Sequence, residues 1–99
     1  MKKILTFFCL IISLGLFAGQ IVVGTSAPVK SLRKAIEMAR SGDTIRLQAG
    51  LYKEGSLVIS KPLTLLGENN PVLDGESKYE ILLISGQNIT VRGITFRNS

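Results

Sequence analysis

After residue 43 no apolar run is longer than a short strand, and each is cut off by Gly, Pro, Asn or Asp. Thr44-Ile45-Arg46-Leu47, Leu57-Val58-Ile59, Leu63-Thr64-Leu65-Leu66, Val72-Leu73, Ile81 to Ile84, Ile89-Thr90-Val91 and Ile94-Thr95-Phe96 follow one another. Period two within such runs marks half-buried strands, and the breakers mark the turns between them. Strands this short can build a small sandwich or barrel, but the punctuation repeats. Leu63, Thr64, Leu65 and Gly67 match Ile89, Thr90, Val91 and Gly93 in order, and the earlier strand fits with Ile45 set against Leu63 and Leu47 against Leu65. A repeat of roughly 20 to 26 residues made of short strands and sharp turns predicts a solenoid coil. The fold class expected is all-β, the start of a parallel β-helix, with Ile, Leu and Val piling up inside and Arg46, Thr64, Thr90 and Arg92 outside.

Lys30 to Ser41 is the one helical pattern downstream of the leader. Leu32, Ala35, Ile36 and Ala39 form a single apolar stripe, Ser31 is placed as N-cap, and Pro28 keeps the preceding chain extended. Gly42 is expected to end the helix, with Arg40 near the negative end of its dipole. So narrow a stripe covers a core made elsewhere. Laid across the first coil, it seals the open end of the solenoid and its unpaired strand edge. Ile94-Thr95-Phe96 is followed only by Arg97-Asn98-Ser99, so the last coil is expected to be open and the solenoid to continue in further coils. Asn88 and Asn98 fall at bends, where Asn tolerates a left-handed turn.

The leader is Met1 to Gly19. Lys2 and Lys3 precede a run from Ile4 to Ala18 broken only by Thr6, Ser13 and Gly15, and small residues close it. As a helix that run spans ~22 Å, short of the ~30 Å hydrocarbon core, which predicts a cleaved export signal rather than a permanent span. Cleavage is expected after Ala18 or Gly19, giving a periplasmic or secreted product. Phe7 and Phe8 stand where a lipid-modified Cys9 needs small residues, so lipidation is set aside. The division expected is therefore residues 1–19 signal, 20–43 linker and capping helix, and 44–99 the first coils.

Composition then removes whole classes of chemistry. The single cysteine is Cys9, in the leader, and there is no histidine. The exported part thus has no disulfide, thiolate nucleophile, His base or Cys/His metal cage. The net charge of +5 loses two with Lys2 and Lys3, and the remaining Lys and Arg are scattered, which argues against nucleic acid as a partner. Gly42, Gly50, Gly55, Gly67, Gly75, Gly86 and Gly93 are spaced as turns and never cluster into a phosphate loop. No residue is singled out as catalytic, cofactor-binding or metal-binding.

The runs Ser31 to Ile36, Ser41-Gly42-Asp43-Thr44-Ile45, Gly50-Leu51-Tyr52-Lys53-Glu54, Ile59 to Glu68, and Asn88 to Ile94 together resemble the opening of right-handed parallel β-helix proteins of the pectate-lyase-like superfamily. Within it, Asn70-Pro71-Val72-Leu73-Asp74-Gly75-Glu76 with Lys78-Tyr79-Glu80-Ile81-Leu82 is most similar to the NosD family, periplasmic accessory proteins of nitrous oxide reductase maturation. That resemblance implies a non-catalytic carrier or scaffold. It would work with an ABC transporter and with nitrous oxide reductase, and copper enters only by this implication. Copper(I) wants thiolate, thioether or imidazole. The exported part offers Met38 alone, which borders the helix stripe and is expected to pack there.

Two other functions compete. A polysaccharide lyase or epimerase would need carboxylates holding calcium and a basic residue taking the proton. The carboxylates are Glu37, Asp43, Glu54, Glu68, Asp74, Glu76 and Glu80; Glu76 and Glu80 can meet in a turn but without a third ligand read as solvated surface. Arg92 and Arg97 are expected outside, as solubilising charges, with contact to an anionic partner the lesser reading. A non-catalytic surface binding or spacer module is the third reading.

Overall fold

The computed structural model describes residues 19–99; the expected export segment, Cys9 included, lies outside them apart from Gly19. Nine short strands are formed: β1 (Gln20–Val23), β2 (Thr44–Leu47), β3 (Leu51–Tyr52), β4 (Leu57–Ile59), β5 (Leu63–Gly67), β6 (Val72–Asp74), β7 (Leu82–Ile84), β8 (Ile89–Arg92) and β9 (Thr95–Arg97). They make three sheets, ordered β1-β2-β5-β8, β3-β6-β9 and β4-β7. Every pairing is parallel. From β2 onward no strand pairs with the next one in sequence, and β1 reaches β2 only across the intervening residues 24–43; each strand finds its partner a full winding away. Short turns cannot return a chain parallel to itself within one sheet, so this connectivity is a parallel β-solenoid of about three windings. Among the described residues no helix is long and apolar enough to cross a membrane.

The interior is a set of ladders. Ile21, Ile45, Leu65 and Val91 stand in register across the four-stranded sheet, with Val23 and Leu47 beside them. Tyr52, Leu73 and Phe96 line the second sheet, and Leu57 over Leu82 and Ile59 over Ile84 line the third. Val23, Ile45, Leu47, Ile59, Leu65 and Leu73 are fully buried, each contributing about 1.5–3 kcal/mol of apolar burial. Burial runs out toward the last winding: Ile84 is 48% and Phe96 42% exposed, because no further winding among the described residues lies over them.

The predicted match of Leu63, Thr64 and Leu65 to Ile89, Thr90 and Val91 is the observed register. The earlier match is corrected. Ile45 pairs with Leu65 and Leu47 with Gly67, two residues further on than expected. Leu63 instead lies level with Asp43, whose carbonyl accepts from the Thr64 amide at 3.0 Å, while Gly42 donates to the Pro62 carbonyl at 2.7 Å. A slip of two leaves the inward face unchanged, so alternation could not detect it. Where Gly67 comes alongside Gly93 the backbones approach so closely that a Cβ on Gly67 would collide with the Gly93 carbonyl.

Residues 20–23, expected to be linker, form the outermost strand of the largest sheet. The helix, α1 (Leu32–Met38), is shorter than the expected 30–41. Ser31 does cap it, accepting from the Lys34 amide at 3.3 Å, and Leu32, Ala35, Ile36 and Ala39 are buried as expected. Its far end stops at Ala39, which is extended (φ −67°, ψ 146°). Asp43 explains this: its carboxylate takes the Arg40 amide at 2.9 Å, and the Asp43 amide donates to the Arg40 carbonyl at 3.0 Å. A side chain thus outcompetes the helix for that donor. Gly42 (φ 91°) serves this turn, not a helix cap, and Arg40 lies beyond the last helical turn.

The next winding holds the helix in place. Both Glu54 carboxylate oxygens accept amides of the first turn, Leu32 at 2.8 Å and Arg33 at 3.1 Å, with the Ser31 hydroxyl at 3.3 Å. Arg33 returns the contact by donating to the Gly55 and Ser56 carbonyls beside β4, and Lys61 reaches the Ala39 carbonyl at 2.6 Å. A carboxylate at the positive end of the helix is favourable. Glu54→Ala is expected to cost about 1–3 kcal/mol and to speed hydrogen exchange of the α1 amides before those of β5. Leu65→Ala should cost about 2–5 kcal/mol in urea unfolding. Val58→Ala, on the outward face at 49% exposure, should change stability by less than about 1 kcal/mol.

Candidate functional site

Alternation that sends Ile45, Leu65 and Val91 inward sends two ladders outward from the same sheet. Gln20, Thr44, Thr64 and Thr90 form one, and Val22, Arg46, Leu66 and Arg92 the other. Successive rungs lie ~4.8 Å apart, so this is a flat strip of hydroxyls bordered by guanidinium groups. Arg46 is ion-paired with Glu68 across the winding, both partly exposed. Its Nε is buried and has no hydrogen-bond partner. Arg92 is exposed, as expected, and has no ion pair among the described residues. The strip can bind a polar or anionic surface through several weak contacts; it presents no acid–base pair.

Arg97 does not join it. The side chain is exposed, as expected, but its Nε donates to Asp74 at 3.3 Å, so it serves as that carboxylate's neutralising partner. Asp74, only 7% exposed, also accepts from the Glu76 amide at 2.8 Å and the Asn98 amide group at 3.1 Å. These contacts fix the turn after β6. Glu76 (φ 55°) and Ser77 (φ 57°) are both left-handed, and the Lys78 amide closes the turn on the Gly75 carbonyl at 3.0 Å, the geometry of a type I′ turn. The Ser77 amide adds a bond to the Asn98 carbonyl in the winding above, at 2.6 Å. Glu76 and Glu80 are exposed, and the described residues hold no group of three or more candidate metal ligands. Asn88 (φ 59°) and Asn98 (φ 56°) take the left-handed turn geometry expected of them.

Other polar groups near the interior have structural partners. Tyr52 points inward and donates to the Gln48 carbonyl at 2.7 Å. Burial, then the Glu54 charge, pushes its phenol above the usual tyrosine range. Met38 is 51% exposed, against the expected packing, because the helix ends there with its stripe facing the other way. A cavity of about 430 Å3, lined by Ile81, Leu82, Ile84, Val91 and Phe96 with Glu80 and Ser99 at its rim, lies against the last described winding. A smaller one of about 220 Å3 lies between α1 and β4, beside Arg33, Ile36, Glu37 and Leu57.

Comparison with protein-family models, curated proteins and solved structures finds no match. The class of protein is therefore given by the architecture itself, a parallel β-solenoid whose first winding is completed by a capping helix.

Hydrogen bonds set the acid limit of this structure. The Glu76 amide first, then Asn98 and Arg97, hold the Asp74 carboxyl below its ordinary 3.8, against a smaller opposing effect of burial. The Arg40 and Gly19 amides do the same for Asp43. A carboxylate with a depressed folded pKa stabilises the fold above its unfolded value, and that contribution disappears as pH falls through the folded value. Stability should therefore decline below about pH 3.8. Asp74→Asn should flatten that acid limb while lowering stability at neutral pH, as read by urea unfolding across a pH series.

Proposed function

We propose that this chain acts as an exported, non-catalytic scaffold in nitrous oxide reductase maturation, docking beside an ABC transporter in the periplasm. The resemblance of the runs Asn70 to Glu76 and Lys78 to Leu82 to the NosD family supports this reading, and the single structural observation that carries it is the capped parallel solenoid itself. Residues that bear the similarity do architectural work: Pro71 and Leu73 fill the interior, and Asp74 ties the following turn to the winding above. A rod of this kind holds partners at fixed spacing, and the strip of Thr44, Thr64, Thr90 and Arg92 is the polar face it offers them.

Copper is cargo in this scheme, and the described residues do not fit it as ligands. Met38 is their only sulfur donor, it stands exposed at the end of α1, and neither cysteine nor histidine accompanies it. Copper(I) needs several soft donors converging. No step is therefore assigned to copper on this segment, and the role drawn for it is docking.

Deletion of the gene in a nitrous-oxide-reducing host should leave reductase that is exported but poor in copper and inactive, as read by metal analysis and nitrous oxide consumption of the periplasmic fraction. Fully metallated, active reductase in the deletion strain would contradict the proposal. Release of unsaturated oligosaccharides from a polyuronate by the purified protein would contradict it as well, in favour of a carbohydrate-active enzyme.

A further inference from the structure

Asp43 has a position that its role in ending the helix does not exhaust. One carboxylate oxygen takes the Arg40 amide at 2.9 Å, and the other takes the Gly19 amide nitrogen, also at 2.9 Å. Asp43 is 9% exposed, whereas Gly19 is exposed and immediately precedes β1. The Gly19 carbonyl in turn accepts from the Thr44 amide at 3.0 Å, which starts the β1–β2 register. We infer that export ends with hydrolysis of the Ala18–Gly19 bond, and that the Gly19 ammonium so released seats on the Asp43 carboxylate and pins the first strand to the solenoid. This rests on the export reading above and adds to it the cleavage site and the fate of the new terminus.

Small residues that could precede the cut are Ala18 and Gly19 at the end of the apolar run and, beyond β1, Gly24, Ser26 and Ala27, where any cut would release β1 with the leader. A cut after Gly24 removes β1, whose Val23 is fully buried and stacked beside Leu47. A cut after Gly19 removes the donor to one Asp43 oxygen and the acceptor of the Thr44 amide. A cut after Ala18 preserves both and converts a neutral N–H donor to a charged one, which makes a shorter and stronger hydrogen bond. The exposure of Gly19 leaves the other two ammonium protons to water, so no buried donor is orphaned. In the step itself, under a membrane-bound signal peptidase, water supplies hydroxyl to the Ala18 carbonyl carbon and a proton to the Gly19 nitrogen as the amide C–N bond breaks. The new Ala18 carboxylic acid then gives up its proton and the Gly19 amine takes one up, leaving carboxylate and ammonium. The other charges near Asp43 are Arg40 and Lys61.

The test expresses the full chain in an exporting bacterium and reads the product by intact mass and N-terminal sequencing. A chain beginning at Gly19 is expected. One beginning at Gln20 or any later residue overturns the inference while leaving export standing. One retaining Met1 in the membrane fraction overturns it in favour of an uncleaved anchor, and one retaining Met1 in the cytoplasm removes the export reading as well. In the mature product, NMR titration should place the Gly19 amine above the ordinary ~7.7–8.0 of an α-amino group, because the adjacent carboxylate favours its charged form, and Asp43→Asn should return it to the ordinary range. Should that variant fail to fold, selective acetylation of the Gly19 amine in the unaltered protein supplies the second reading, with a lowered melting temperature expected. An amine titrating at its ordinary value, or acetylation without effect on melting, overturns the docking.

Discussion

In-register parallel stacking of Ile21, Ile45, Leu65 and Val91 is the constraint on which the rest depends. No strand exceeds five residues, and each pairs only with strands a full winding away. Each is therefore stable only through the winding before or after it. Parallel pairing between successive windings satisfies the backbone, and the same pairing puts one aliphatic side chain directly over another. The architecture is nearly one-dimensional, so its weak points are its ends.

The first end is closed by side chains reaching back from the following winding. Glu54 holds the first turn of α1, Lys61 the residue after it, and Asp43 the start of β1 and the chain leaving the helix. All three are charged groups acting on backbone amides or carbonyls, where an ionised partner is worth more than a neutral one. The apolar stripe of α1 supplies burial, and these bonds supply position. At the other end the ladders simply emerge, with Ile84 and Phe96 at the mouth of the interior.

Much of this was legible in the residues. Alternation located most of the strands, matching punctuation located the windings from Leu63 to Gly93, and the stripe with Ser31 located the helix and its start. The misses have physical causes. Pairing Ile45 with Leu63 instead of Leu65 preserved the inward face, so periodicity was blind to it. Residues 20–23 merged in sequence with the apolar leader and concealed a strand. The early helix end, the Glu54 clamp and the Arg97–Asp74 pair are contacts made by folding, and no local signal announces them. Function was less legible because the residues most distinctive in the sequence are those that build the coil. What they specify first is a shape.

The most direct test of the stacking is the set of interstrand proton contacts seen by NMR in the isotope-labelled protein. Parallel in-register pairing predicts close backbone contacts linking Ile45 to Leu65 and Leu65 to Val91, in the pattern peculiar to parallel strands. Contacts of antiparallel type between β4 and β5, or Leu65 and Val91 on opposite faces, would contradict the solenoid and every assignment built on it.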